Sequence, residues 1–139
     1  VGGVRESGEI MYIHGSEEDM CKAFWRLIQN LQLWGKLGKY DIFCISNNQR
    51  SSKAWAQGKD KLLGVTPGVA DYCVPGHGFM EAKRYTLTKT GKLSTASSTQ
   101  SLEQEAFQAA MEAKGVKYAI FRTPNEGVDI LGKWLGIEL

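Results

Sequence analysis

Histidine is nearly missing from this chain of 139 residues; only His14 and His77 are present. The three cysteines, Cys21, Cys44 and Cys73, are odd in number and share no close spacing. A zinc cage takes about four soft or imidazole ligands in paired spacings, so none is expected. A disulfide scaffold is excluded by the same count, and unpaired cysteines point to a reducing, intracellular setting. The apolar runs are only a few residues long, too short to span a membrane. No apolar stretch follows a basic start, so no signal peptide is expected and the location reads as cytoplasmic. Internal repeats are absent. The chain does not open on Met, as expected of a processed or excised fragment. What is present, 23% charged and 42% apolar residues, is the balance of a soluble globular protein of one domain.

The formal net charge is only +2, but it is unevenly spread. Residues 1–21 set Arg5 against Glu6, Glu9, Glu17, Glu18 and Asp19, a net of −4. Residues 22–63 carry eight cations, Lys22, Arg26, Lys36, Lys39, Arg50, Lys53, Lys59 and Lys61, against Asp41 and Asp60, a net of +6. A basic middle third suits a polyanion such as nucleic acid; it also suits a solvated lysine-rich surface.

Residues 1–15 are glycine-rich and read as a loose arm with a short strand near 10–13. Ser16 predicts a helix cap, followed by an acidic first turn. Met20, Phe24, Leu27, Ile28 and Leu31 then recur at helical spacing, and Gly35 or Gly38 ends the pattern. Residues 40–46 predict a strand, and residues 47–64 are polar and basic. Residues 69–74 and 79–85 predict two strands joined by Pro75-Gly-His-Gly78, an antiparallel hairpin. Residues 86–100 read as a Ser/Thr-rich loop. Ser101 and Gln104 predict a capping box, with Leu102, Ala106, Ala109, Ala110 and Ala113 as the core-facing stripe. Residues 116–122 predict a strand, and Thr123-Pro124 a final helix with Val128, Leu131 and Leu135 inward. Trp25 and Trp34 read as helix packing, and the cysteines as buried small hydrophobes. The order is α-β-β-β-α-β-α, an α/β fold with a mixed central sheet flanked by helices. The strands before and after the second helix can pair in parallel.

The chemistry concentrates on the hairpin. Glu81 and Lys83 are two apart on a strand and point to one face. Charges among Phe79, Met80 and Ala82 are costly unless they have partners. A fold about Gly76 and His77 sets Asp71 nearly opposite Glu81. Side-by-side carboxylates repel unless a cation joins them, and such oxygen donors suit Mg²⁺ or Mn²⁺. An adjacent lysine then stabilises charge on a phosphate. The alternative is an ordinary cross-strand charge cluster. The glycine-rich run Gly68-Val-Ala-Asp71 favours the metal reading, because glycine lets a backbone or ligand approach.

In order along the chain stand Ser16-Glu17, Ile45-Ser-Asn47-Asn-Gln-Arg50, Gly68-Val-Ala-Asp71, Phe79-Met-Glu81-Ala-Lys83 and Ser101-Leu-Glu-Gln104. With these, about residues 16–135 resemble the virus-type replication-repair nuclease (VRR-NUC) domain, a branch of the PD-(D/E)XK nuclease superfamily. Ala70 stands where that family usually has proline, Cys21 where its first helix often has glutamine, and the 86–100 segment is longer than its usual link. The resemblance implies a restriction-endonuclease-like core over residues 16–139, behind an arm of residues 1–15. It implies Mg²⁺ or Mn²⁺ held by Asp71, Glu81 and the Ala82 carbonyl, with Glu17, or its neighbour Glu18, reaching the metal or its water. Lys83 is then the group that activates water and stabilises the phosphate charge. Gln104 either orients Lys83 or a phosphate, or simply closes its capping box. Asn47 and Arg50 contact the phosphate backbone, or form a solvated polar loop. The basic stretch holding Lys53, Lys59 and Lys61 grips DNA, with Trp55 available to stack on a base.

The implied activity is metal-dependent endonucleolytic cleavage of branched or structured DNA. A homodimer is expected by analogy with small resolvase-like relatives of phage or bacterial origin. Two other readings remain: a DNA-binding module that kept the fold and lost turnover, and a nuclease domain cut from a longer replication or repair protein.

Overall fold

A computed structural model of the chain describes residues 2–4, 10–12, 14–45, 64, 66–96 and 98–139. It is an α/β fold. In chain order the described elements are β1 (Gly2–Val4), β2 (Ile10–Tyr12), α1 (Glu17–Leu33), β3 (Phe43–Cys44), β4 (Tyr72–Val74) and β5 (Gly78–Ala82). There follow β6 (Thr86–Leu87), β7 (Leu93–Ser94), α2 (Leu102–Ala113), β8 (Lys117–Phe121) and α3 (Pro124–Leu135). A four-stranded sheet has the order β3-β4-β5-β8, and β1-β2 and β6-β7 form separate two-stranded pairs. No helix among the described residues is long and apolar enough to cross a membrane.

The chain divides into two compact units. One comprises Val1–Asp41, Ala82–Thr99 and Ala119–Leu139; the other Ile42–Glu81 and Gln100–Tyr118. In the first unit, the Ser16 hydroxyl caps α1 by accepting from the Asp19 amide at 3.1 Å, as the sequence predicts. Met20, Phe24, Ile28 and Leu31 turn inward along one stripe of α1. α1 packs against α3, whose buried positions are Gly127, Leu131 and Gly132. Phe24 and Phe121 meet there, ring centres 4.6 Å apart. The Arg122 guanidinium donates to the carbonyls of Arg84 and Ser98, and its amide donates to Glu126 at 2.7 Å. Those bonds satisfy a half-buried cation by backbone carbonyls. Trp34 is 67% exposed. It caps the C-terminus of α1 rather than packing beneath it, a correction to the sequence reading.

The segment 86–100 is also corrected. Instead of a plain loop it folds Thr86–Leu87 back on Leu93–Ser94, turning at Gly91 with a positive φ of 80°. Two apolar residues were too few to show a period.

In the second unit, β4 and β5 form the expected hairpin, paired Tyr72↔Met80, Cys73↔Phe79 and Val74↔Gly78. The turn holds three residues rather than four, because Gly78 already pairs. Over the described residues 40–45, β3 is shorter than the predicted 40–46 strand: Phe43 and Cys44 pair with Cys73 and Tyr72, and residue 46 lies outside the described residues. The capping box at α2 is present: Ser101 Oγ accepts from the Gln104 amide, and Gln104 Oε1 accepts from the Ser101 amide at 2.9 Å. The facing of α2 is reversed, however. Leu102 is 82% exposed, and Ala106, Ala109, Ala110 and Ala113 are exposed with it. The half-buried positions are Gln104, Phe107, Gln108 and Met111, which share the opposite face at helical spacing. Phe107 decides it. Its ring meets Phe79 edge-on at 5.1 Å and Tyr118 at 6.1 Å, burying far more apolar area than four alanine methyls can.

β5 and β8 run parallel. The Lys117 amide donates to the His77 carbonyl and, further along both strands, the Lys83 amide donates to the Phe121 carbonyl. At Gly78 the strands approach so closely that a Cβ would fall on the Lys117 carbonyl. Backbone cannot yield as a flexible side chain can. Gly78→Ala is therefore expected to cost about 2 kcal/mol or more of stability, read from urea unfolding; a loss under 0.5 kcal/mol would contradict the close approach.

Candidate functional site

Local chain geometry places the predicted carboxylates. The β4–β5 register, continued one residue past Tyr72↔Met80, sets Asp71 directly across from Glu81. Cross-strand partners share a face and hold their Cβ atoms roughly 5 Å apart. The Asp71 carbonyl accepts from the Ile45 amide at 2.8 Å, extending the β3–β4 ladder and fixing the Asp71 backbone. Asp71 is half-buried. Glu81 is wholly buried, and both of its carboxylate oxygens are shielded from solvent.

The glycine run before Asp71 has a packing reason. Gly68 has φ of +85°, and a Cβ there would lie 2.5 Å from the backbone of Glu103. What approaches this glycine is the first turn of α2.

Tyr118, on β8, faces the carboxylate pair. Burial pushes its phenol well above the ordinary tyrosine range; the Glu81 charge, a hydrogen-bonding approach to the Glu81 side chain and the Asp71 charge add to this. On its other side the phenol oxygen accepts from Gln100 Nε2 at 3.3 Å. Neither residue belongs to any motif read from the sequence. The signal that existed was weak: a tyrosine within a β-rich run.

Cys44 also lies near this cluster. Partial burial pushes its thiol up, and the Asp71 charge adds to the effect. Cys73 is pushed up by burial alone. Neither is poised as a thiolate nucleophile. Cys44 is exposed and Cys21 and Cys73 half-buried, so the reading of all three as buried is corrected.

In the other unit, Lys83 is 8% exposed, and its ammonium lies 3.8 Å from a Glu17 carboxylate oxygen. That carboxylate also accepts from the Ser98 hydroxyl at 3.4 Å. A buried ammonium needs such a counter-charge. The neighbour of Glu17, Glu18, is exposed and pairs with Lys22 at 3.4 Å, one helical turn on. Ser98 escaped notice in the sequence because it is 81 residues from Glu17 and sits among many serines and threonines. Ala82, between Glu81 and Lys83, is buried. Gln104 is tied into its capping box.

Asn47, Arg50, Lys53, Trp55, Lys59 and Lys61 lie outside the described residues.

Compared with known proteins, the chain matches no family model, no curated protein and no solved structure.

The donor set itself can be tested against a divalent cation. Among the described residues no three His, Cys, Asp or Glu side chains gather as a metal-holding group. That leaves two facing carboxylates. Mg²⁺ is commonly bound by one or two carboxylates, with waters and substrate phosphates filling the octahedron. Asp71 and Glu81 fit that pattern; they do not fit zinc, which wants nitrogen or sulfur donors.

Proposed function

We propose that this chain is a metal-dependent DNA nuclease with a restriction-endonuclease-like core of the VRR-NUC type. The observation that carries the reading is the β4–β5 register, which sets Asp71 across from Glu81, with Lys83 two residues further along. Asp71 and Glu81 are the acidic members of the Asp…Glu-x-Lys pattern on which the resemblance rests, and Lys83 follows in sequence. A wholly buried glutamate, a half-buried aspartate and a lysine 8% exposed are an expensive set for mere solubility.

Bound by Asp71 and Glu81, Mg²⁺ or Mn²⁺ supplies Lewis-acid chemistry for hydrolysis of a phosphodiester. Asp71 and Glu81 hold that cation and set its position. Lys83 places a fixed positive charge for the charge that develops on the phosphate oxygens. Glu17, with Ser98 behind it, keeps the lysine side chain extended in one direction and compensates its charge while no phosphate is bound. The basic segment of residues 22–63 holds the DNA backbone, which makes binding fall steeply with salt and carry little base readout. Branched or structured DNA is the proposed substrate and a homodimer the proposed working unit.

The test is cleavage of supercoiled plasmid and of a four-way junction with Mg²⁺, Mn²⁺ or EDTA, using wild-type protein and Lys83→Ala. Metal-dependent cutting is expected, blocked by EDTA and reduced at least 100-fold in Lys83→Ala. DNA binding without cutting in either metal would overturn the nuclease reading in favour of a DNA-binding module.

A further inference from the structure

The turn that follows α1 carries large rings in water. Trp34 is 67% exposed, Tyr40 75% and Leu33, beside Trp34, 82%. Lys36 and Lys39 stand between the two rings in sequence and are exposed with them. From Lys22 to Tyr40 the chain has four cations and no acidic residue. An exposed patch of this kind marks a surface that binds something, and its charge suits a polyanion.

The turn is built, not loose. Leu37 is buried and anchors it. The amides of Lys36 and Leu37 both donate to the Leu31 carbonyl, and those of Trp34 and Gly35 donate to the carbonyls of Asn30 and Gln32. The last carbonyls of α1, which would repel an anion, are thereby taken up. Gln32 Nε2 donates to the Gly38 and Lys39 carbonyls at 3.3 and 3.4 Å, folding the chain back on the last turn of α1. Trp34 and Tyr40 therefore spring from the same end of the helix. The Asp41 carboxylate accepts from the Gly38 amide at 2.7 Å, so the nearest acid is engaged by backbone. The Lys39 ammonium lies over the Tyr40 ring, 5.5 Å from its centre, and cation and ring are presented together.

Exposed rings decide the form of the polyanion. A duplex stacks its bases inside and offers a protein chiefly phosphates, whereas an unpaired base offers a face on which an aromatic ring can stack. On the basis of the nuclease reading, which supplies DNA as the polyanion, we infer that residues 34–40 are a binding site for single-stranded DNA, with Trp34 and Tyr40 stacking on unpaired bases and Lys36 and Lys39 contacting phosphates. Branched DNA with a single-stranded arm is the form of the proposed substrate that this site suits.

The experiment measures binding of the full chain to labelled oligo-dT and to a duplex of equal length, in EDTA and across salt concentration. Wild type is compared with Trp34→Ala, Trp34→Phe, Tyr40→Ala and the double variant Lys36→Ala with Lys39→Ala. Trp34→Ala is expected to weaken oligo-dT binding about tenfold, to leave duplex binding within twofold and to keep the salt dependence. Trp34→Phe, which retains a stacking ring, is expected to restore most of the loss. The double lysine variant is expected to flatten the logarithmic salt slope by about 1.4, since each single-strand phosphate contact contributes about 0.7. Oligo-dT affinity of a folded Trp34→Ala within twofold of wild type overturns the inference, as does an equal loss on oligo-dT and duplex. Should Trp34→Ala not fold, Tyr40→Ala decides by the same measure. Wild-type binding to phosphatidylglycerol vesicles but not to oligo-dT overturns it in favour of a lipid surface. Plasmid cleavage with Mg²⁺ or Mn²⁺ separates the two readings. Metal-dependent cutting with oligo-dT binding indifferent to Trp34 overturns this site alone; Trp34-dependent oligo-dT binding by a chain that cuts nothing supports the site and overturns the nuclease reading.

Discussion

Glutamine in place of Glu81 is expected to lower metal-dependent cleavage by about 10³-fold or more while leaving the protein folded. A loss of that size is about 4 kcal/mol of transition-state stabilisation. One neutralised side chain can account for it, because among the described residues the hairpin register, continued one residue past Tyr72↔Met80, brings just Asp71 and Glu81 opposite each other. The substitution keeps the shape of a side chain that is wholly buried, so no cavity forms. It removes one of two like charges on facing positions, a repulsion in the metal-free protein. The melting temperature is accordingly expected to stay level or rise by a few degrees, while activity collapses. That opposite movement distinguishes a functional carboxylate from a structural one. Cleavage by Glu81→Gln within tenfold of wild type would sink the assignment, whatever its stability.

The parts of this site that were legible in the sequence are those fixed by short-range spacing. The pairing of Asp71 with Glu81 needs only a turn at Gly76, whose φ is +78°, and strand alternation on either side. Ser16, Ser101 and Gln104 announced their caps because capping is a bond over three residues. What stayed hidden depends on contacts far apart in sequence or on side-chain volume. Ser98 reaches Glu17, and Gln100 reaches Tyr118, by chain returns that carry no local signature. α2 shows the second kind of failure. Its alanines outnumber its large residues, so a count of apolar positions selected the wrong face. Phe107 and Met111, one turn apart, outweigh the alanines in buried area and take Gln104 and Gln108 inward with them. Trp34 departs from the packing reading for a related reason: it is the residue that ends α1, and there its ring stays mostly exposed.

The largest stability effect is expected where α1 meets α3. Phe24 is fully buried against Phe121, and Phe24→Ala is expected to cost about 3–5 kcal/mol, since the cavity adds to the lost transfer energy. For a domain of this size that lowers the melting temperature by roughly 10 °C or more. Gly127 supplies the counterpart. Its backbone is helical, so alanine there would gain about 1 kcal/mol of helix propensity. Yet its Cβ would lie 2.6 Å from Phe24 Cε1 and 3.0 Å from Phe121 Cδ2. Both obstructing atoms belong to buried rings that have no room to retreat, so Gly127→Ala alone is expected to destabilise by about 1–2 kcal/mol. With Phe24 cut to alanine, the nearer obstruction is gone and the new methyl fills part of the cavity. The double variant is therefore expected to be more stable than the sum of the singles predicts, by about 1 kcal/mol or more. Urea unfolding of the four proteins measures that coupling. Additivity within about 0.5 kcal/mol would mean that Phe24 does not sit over Gly127, and that α3 is free to shift away from α1 when its glycine is filled.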